Sequence, residues 1–90
     1  MPYIDKGIRK NLNPHIASLS KEINTIGNLN YCITKLCLNF LKRSTISYVS
    51  LNEIPGVLEC VKLEFYRRIL SVYEDKKCDE NGDVYIDEEL

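Results

Sequence analysis

The chain contains one histidine, and none of its four cysteines falls in a C-x-x-C pair. A structural zinc site needs four Cys or His ligands at short, regular spacings, which Cys32, Cys37, Cys60, Cys78 and His15 do not offer, so no metal or other cofactor is expected. Three of the cysteines sit inside helical patterns, where reduced thiols pack as small hydrophobes. A Gly-rich phosphate loop is missing, no Ser/His/Asp set has workable spacing, and His15 has no evident partner. These absences remove the usual routes to catalysis, and an enzyme is not expected. No apolar run approaches the ~20 residues of a membrane span. The opening "MPYIDKGIRKN" carries charges but no apolar h-region, so the expected location is the cytoplasm.

Repeats and linkers are lacking as well, which leaves one domain in 90 residues. Hydrophobic residues make up 44% and charged residues 28%, an ordinary balance that argues against disorder throughout. The net charge of −1 hides an asymmetry. From Glu74 to Leu90 eight acids face two lysines, a net of −6, while the other 73 residues hold ten Lys/Arg and five Asp/Glu, a net of +5. That body charge is too small and too scattered for duplex DNA.

The spacing predicts three helices. Asn13 and Pro14 suit an N-cap and first turn, so the first helix is expected over Pro14 to Thr25, with Ile16, Leu19 and Ile23 on one face and a weaker turn over Asp5 to Leu12 before it. Gly27-Asn28 begins a second helix that ends near Arg43, and "STISYVS" reads as an extended connector. Ser50 and Glu53 form a capping-box signature for the third helix. Pro55 follows so closely that either the regular helix starts at Ile54 or its first turn is bent. The pattern continues to about Cys78, and Gly82 stops it.

Some 25 helical residues at 1.5 Å each span about 37 Å, longer than the roughly 30 Å diameter of a compact monomer this size. On a 100° wheel Val61, Val72, Phe65, Leu58, Ile69, Tyr73, Tyr66, Leu70 and Leu63 fill roughly 200°, twice the stripe of a surface helix. The expected architecture is therefore all-α: a small helical hairpin or bundle over residues 1–78 with a long C-terminal helix, assembled as a homo-oligomer, and an acidic tail over 79–90.

Two features of the C-terminal half invite a site. "KCDENGDVYIDE" aligns in part with a calcium loop, placing Asp79, Asn81, Gly82, Val84 and Glu88 at the third, fifth, sixth, eighth and twelfth positions. Lys77 occupies the first position, which must supply a carboxylate, and only two residues follow Glu88, so a solvated acidic tail is the expectation. Within the third helix Glu59 and Lys62 interrupt the apolar arc. Spaced i, i+3, they can pair. Lys62 with Tyr66 then either lines a ligand pocket or symmetric interface, or reaches solvent by snorkelling. Glu64 and Arg68 are expected to pair on the polar side.

The second helix, "GNLNYCITKLCLNFLKR", has an ordinary core face of Leu29, Ile33, Leu36, Cys37 and Phe40. Its opposite face carries Tyr31, Thr34 and Lys35, with Leu38 beside them. An aromatic ring, a hydroxyl and an ammonium one turn apart could stack a base, form a hydrogen bond and neutralise a phosphate.

The blocks "MPYIDK", "GNLNYCIT", "SYVSLNEIPGVLECVKLEFYRR", "YEDKK" and "NGDVY" resemble an uncharacterised family of short phage and prophage proteins over nearly the whole chain. Pro55 departs from that pattern, where an aliphatic residue is the norm. "ITKL", Ile33 to Leu36, resembles the helical hairpin of anti-CBASS and Thoeris anti-defence sponges, oligomers that sequester cyclic nucleotide signals. These resemblances imply a non-enzymatic protein of the infected bacterial cytoplasm that captures a cyclic nucleotide or ADP-ribose-type ligand. Lys35, Lys62 and Arg9 would meet phosphate, Tyr31 or Tyr66 would stack on a base, and Thr34 would hydrogen-bond. The alternative is a phage accessory protein docking on a host protein through its wide apolar helix, with a nucleic-acid binder shielded by its own tail as a third reading.

Overall fold

A computed structural model of the chain describes residues 2–85. It is 79% helical with no strand among the described residues, so the fold is all-α, as the spacing predicts. No helix among them is long and apolar enough to cross a membrane.

Helix α1 spans Lys6–Ser20. It starts eight residues before the expected Pro14, because Asp5 caps it. The Asp5 carboxylate accepts from the Gly7 amide at 2.8 Å, and the Arg9 side chain donates to the Ile4 carbonyl at 2.7 Å. Pro14 lies inside the helix, where it removes the one backbone bond that would reach the Lys10 carbonyl. The longer α1 adds Ile8 and Leu12 to the line of Ile16 and Leu19. Ile23, expected on that face, falls in the turn after the helix ends.

Helix α2 spans Ile26–Lys42. The extended Thr25 caps it, its hydroxyl accepting from the Asn28 amide at 3.0 Å. Helix α3 spans Tyr48–Phe65. Its capping box is built three residues earlier than expected, from Ser47 and Ser50 rather than Ser50 and Glu53. The Ser47 hydroxyl accepts from the Ser50 amide at 3.2 Å and the Ser50 hydroxyl from the Ser47 amide at 2.8 Å, a reciprocal pair with serine in the place usually held by Glu or Gln. Tyr48, Val49 and Ser50 of the expected connector are thus helical. Pro55 sits two turns inside α3 and marks neither its start nor a break in its assignment.

A π-helical turn, Tyr66–Leu70, follows α3 directly, and α4 continues over Ser71–Asn81. Gly82 ends α4 as expected, at φ 90°, a left-handed conformation that suits a residue without Cβ, and its amide donates to the Cys78 carbonyl at 2.9 Å. The helix therefore runs three residues past the expected end at Cys78 and takes in Asp79, Glu80 and Asn81. The remainder of the expected acidic tail over 86–90, with Asp87, Glu88 and Glu89, lies outside the described residues.

The chain divides into two compact units, Met1–Val57 and Leu58–Leu90. The first contains α1, α2 and the opening turns of α3. The second contains the rest of α3, the π turn and α4. No described residue of either is buried. The α2 face with core spacing is open too, with Leu36 and Phe40 each 58% exposed. A correct helical period has produced amphipathic faces without an enclosed core.

Candidate functional site

Tyr31, Thr34 and Lys35 occupy consecutive turns on one side of α2, and Leu38 continues that line. Tyr31 is 63% exposed. The Thr34 hydroxyl donates to the Asn30 carbonyl at 2.9 Å and lies 3.3 Å from the Asn30 side-chain oxygen. Its proton is engaged within the helix, so its lone pairs are what a ligand would meet. Lys35 makes no ion pair among the described residues.

The other three candidates belong to other elements. Arg9 lies on α1, half-buried, with its Nε held by the Ile4 carbonyl. No hydrogen bond or ion pair among the described residues joins it to Tyr31, Thr34 or Lys35. Lys62 and Tyr66 belong to the second unit, one on α3 and one at the head of the π turn. Lys62 pairs with Glu59 at 3.3 Å, and both side chains are more than half exposed, so this is a solvated surface pair and not a buried one. The expected partner of Glu64 is corrected: it takes Arg67 at i, i+3, with Arg67 Nη2 at 2.9 Å and 3.0 Å from its two oxygens, rather than Arg68 at i, i+4.

The π turn is the feature that sequence reasoning missed. Nothing in "YRRIL" announces it, since the stretch holds neither proline nor glycine. The Ser71 amide donates to the Tyr66 carbonyl five residues back, and the Ser71 hydroxyl donates to the Arg67 carbonyl at 2.8 Å. One extra residue in the turn rotates everything after it, so the roughly 200° apolar arc drawn on an unbroken wheel does not hold.

An open depression of about 440 Å³ lies at the end of α4, lined by Glu74, Asp75, Lys77, Cys78, Asp83 and Tyr85 among others. Asp83 turns the chain there by accepting from the Tyr85 amide at 2.8 Å. Partial burial first, then the nearby Asp83 carboxylate and the charges of Asp79 and Asp75, push the Cys78 thiol above its ordinary value. The partial calcium-loop alignment meets helix where a loop is needed: Lys77 through Asn81 are the last turn of α4, with Lys77 paired to Glu80 at 3.1 Å. No group of His, Cys, Asp or Glu among the described residues is placed to hold a metal ion. Glu88, the twelfth position of that alignment, lies outside them.

A family model described as a domain of unknown function, DUF6899, matches residues 1–84. Neither a curated protein nor a solved structure matches the chain.

Proposed function

The chain belongs to the DUF6899 family. We propose that it acts by binding rather than by chemistry, as a homo-oligomeric phage protein that sequesters a cyclic nucleotide or ADP-ribose-type signal in the bacterial cytoplasm. The observation that carries the reading is the openness of its amphipathic helices. Large apolar side chains on every helix face solvent in a single copy, a state that association relieves.

Capture is supported by the outward face of α2. Tyr31 would stack on a base, Thr34 would accept from a ligand N–H, and Lys35 would neutralise phosphate. Arg9, Lys62 and Tyr66 would be contributed by neighbouring protomers. The family resemblance supplies the phage setting, and "ITKL" supplies the likeness to anti-defence sponges.

A thermal-shift panel of cyclic dinucleotides, cyclic trinucleotides and cyclic ADP-ribose variants tests the proposal. Ligand at a hundred times its Kd stabilises by about 2.7 kcal/mol, which for a domain this size raises Tm by roughly 10 °C or more. Flat curves across the panel overturn capture. Light scattering tests assembly, with an expected mass well above the 10.4 kDa of one chain. The same exposed apolar faces favour a second reading, docking on a host protein, and a monomer at every concentration with no ligand response selects it.

A further inference from the structure

We infer that Leu58, Val61, Phe65, Ile69, Leu70 and Tyr73 form a seam on which a second copy of this chain packs antiparallel, brought into line by the π turn at Tyr66–Leu70. The inference rests on the self-association proposed above and states which surface performs it.

The seam follows from helix geometry. On an unbroken α-helix these six residues would spread over roughly 180°, with Leu70 and Tyr73 drifting to one edge and Val72 among them. The π turn holds one extra residue and sets the following chain back by roughly 100°. Leu70 and Tyr73 then fall into line with Leu58, Val61 and Phe65, and the six occupy roughly 90°, the width of a helix-packing stripe. Val72 turns out of the stripe. A π turn weakens local hydrogen bonding, and here its geometric product is a single continuous apolar line in the second unit.

The occupant follows from area and charge. The six residues are each 41–58% exposed in one copy. Together they leave roughly 600 Å², so two copies bury roughly 1,200 Å², the lower bound for a specific interface. A two-fold contact needs only one self-complementary patch, which this stripe provides. Residues 58–69 carry Glu59, Lys62, Glu64, Arg67 and Arg68, a net of +1, and residues 70–81 carry Glu74, Asp75, Lys76, Lys77, Asp79 and Glu80, a net of −2. Ion pairs within the helix join Glu59 to Lys62, Glu64 to Arg67 and Lys77 to Glu80. Antiparallel packing sets the positive half of each copy against the negative half of the other, whereas parallel packing sets −2 against −2.

Paired substitutions in the full-length chain test the seam. Leu70→Glu and Val72→Glu are compared with the unaltered protein by sedimentation over a range of concentrations, with circular dichroism reporting helix content. Leu70→Glu is expected to weaken association at least 100-fold and Val72→Glu less than 3-fold, both keeping their helices. The reverse order, equal loss in both, or an oligomer that survives Leu70→Glu overturns the seam while leaving self-association standing. An unaltered chain that is monomeric at every concentration overturns self-association itself. Orientation is read by disulfide cross-linking after replacing the four native cysteines with serine. Leu58→Cys and Tyr73→Cys chains, mixed, are expected to cross-link to each other and neither to itself. Self-cross-linking of either chain overturns the antiparallel arrangement.

Discussion

The backbone amide of Ser71 donates to the carbonyl of Tyr66, five residues back instead of four. That bond inserts one residue's rotation between α3 and α4, and it determines which apolar side chains share a line.

Removing one residue from the π turn returns the helix to regular hydrogen bonding without disturbing the phase of the segments on either side. Deleting Arg68 is therefore expected to preserve association and helix content. It raises stability by about 1 kcal/mol, the net worth of a backbone hydrogen bond, or a few degrees in Tm. Deleting Leu63, outside the turn, rotates Leu58 and Val61 away from Phe65 and is expected to weaken association at least tenfold. Equal tolerance of both deletions in sedimentation would contradict this view of the turn.

Pro14 interrupts the hydrogen-bond ladder of α1 at the Lys10 carbonyl. Pro14→Ala restores that bond and removes the ring's clash with the preceding turn, against a smaller gain in unfolded-chain entropy. The expected net effect is stabilisation by about 1–3 kcal/mol. A thermal melt that moves down instead of up would show that Pro14 serves a contact outside α1.

On the outward face of α2, Lys35→Ala is expected to weaken binding of any phosphate-bearing ligand found in the panel by about 10- to 100-fold, the loss of one charge-assisted hydrogen bond. Oligomer mass should not change, because Lys35 lies opposite the apolar face of its helix. Unchanged affinity would transfer the phosphate role to Lys62.

The thiol of Cys78 is held above its ordinary pKa, chiefly by partial burial and then by Asp83, Asp79 and Asp75. A raised thiol pKa leaves less thiolate at a given pH. Cys78 is therefore expected to alkylate more slowly with iodoacetamide at mildly alkaline pH than the exposed Cys60. Asp83→Asn removes one negative neighbour, lowers the Cys78 pKa and speeds the reaction. Mass spectrometry of the modified chain reads both rates, and a Cys78 rate unaffected by Asp83→Asn would contradict the assignment.

Much of the helical content is legible along the chain because helix formation is local. The 3.6-residue period of α2, the stop at Gly82 and the all-α class all emerge from spacing and capping chemistry. The errors share a cause. Asn13-Pro14 and Ser50-Glu53 are sound start signals, yet Asp5 and the Ser47–Ser50 pair cap earlier, and both helices run on through their prolines. A strong early cap followed by a long apolar period outweighs the single hydrogen bond a proline removes. Of the candidate ligand residues, Tyr31, Thr34 and Lys35 share a face because i, i+3 and i+4 positions must do so on any helix. Arg9, Lys62 and Tyr66 lie on other elements, and no spacing rule relates them to that face.

The sequence by itself determined that this chain is helical, that its last helix stops at Gly82, and that its helices are amphipathic, since each depends on residues within a turn or two of one another. Only the folded structure decided that Glu64 reaches Arg67, that the stretch aligned in part with a calcium loop begins as the last turn of α4, and that a π turn realigns Leu70 and Tyr73 while turning Val72 aside. Such choices depend on which of several nearly equal hydrogen-bond partners the backbone takes, and residue spacing does not distinguish them.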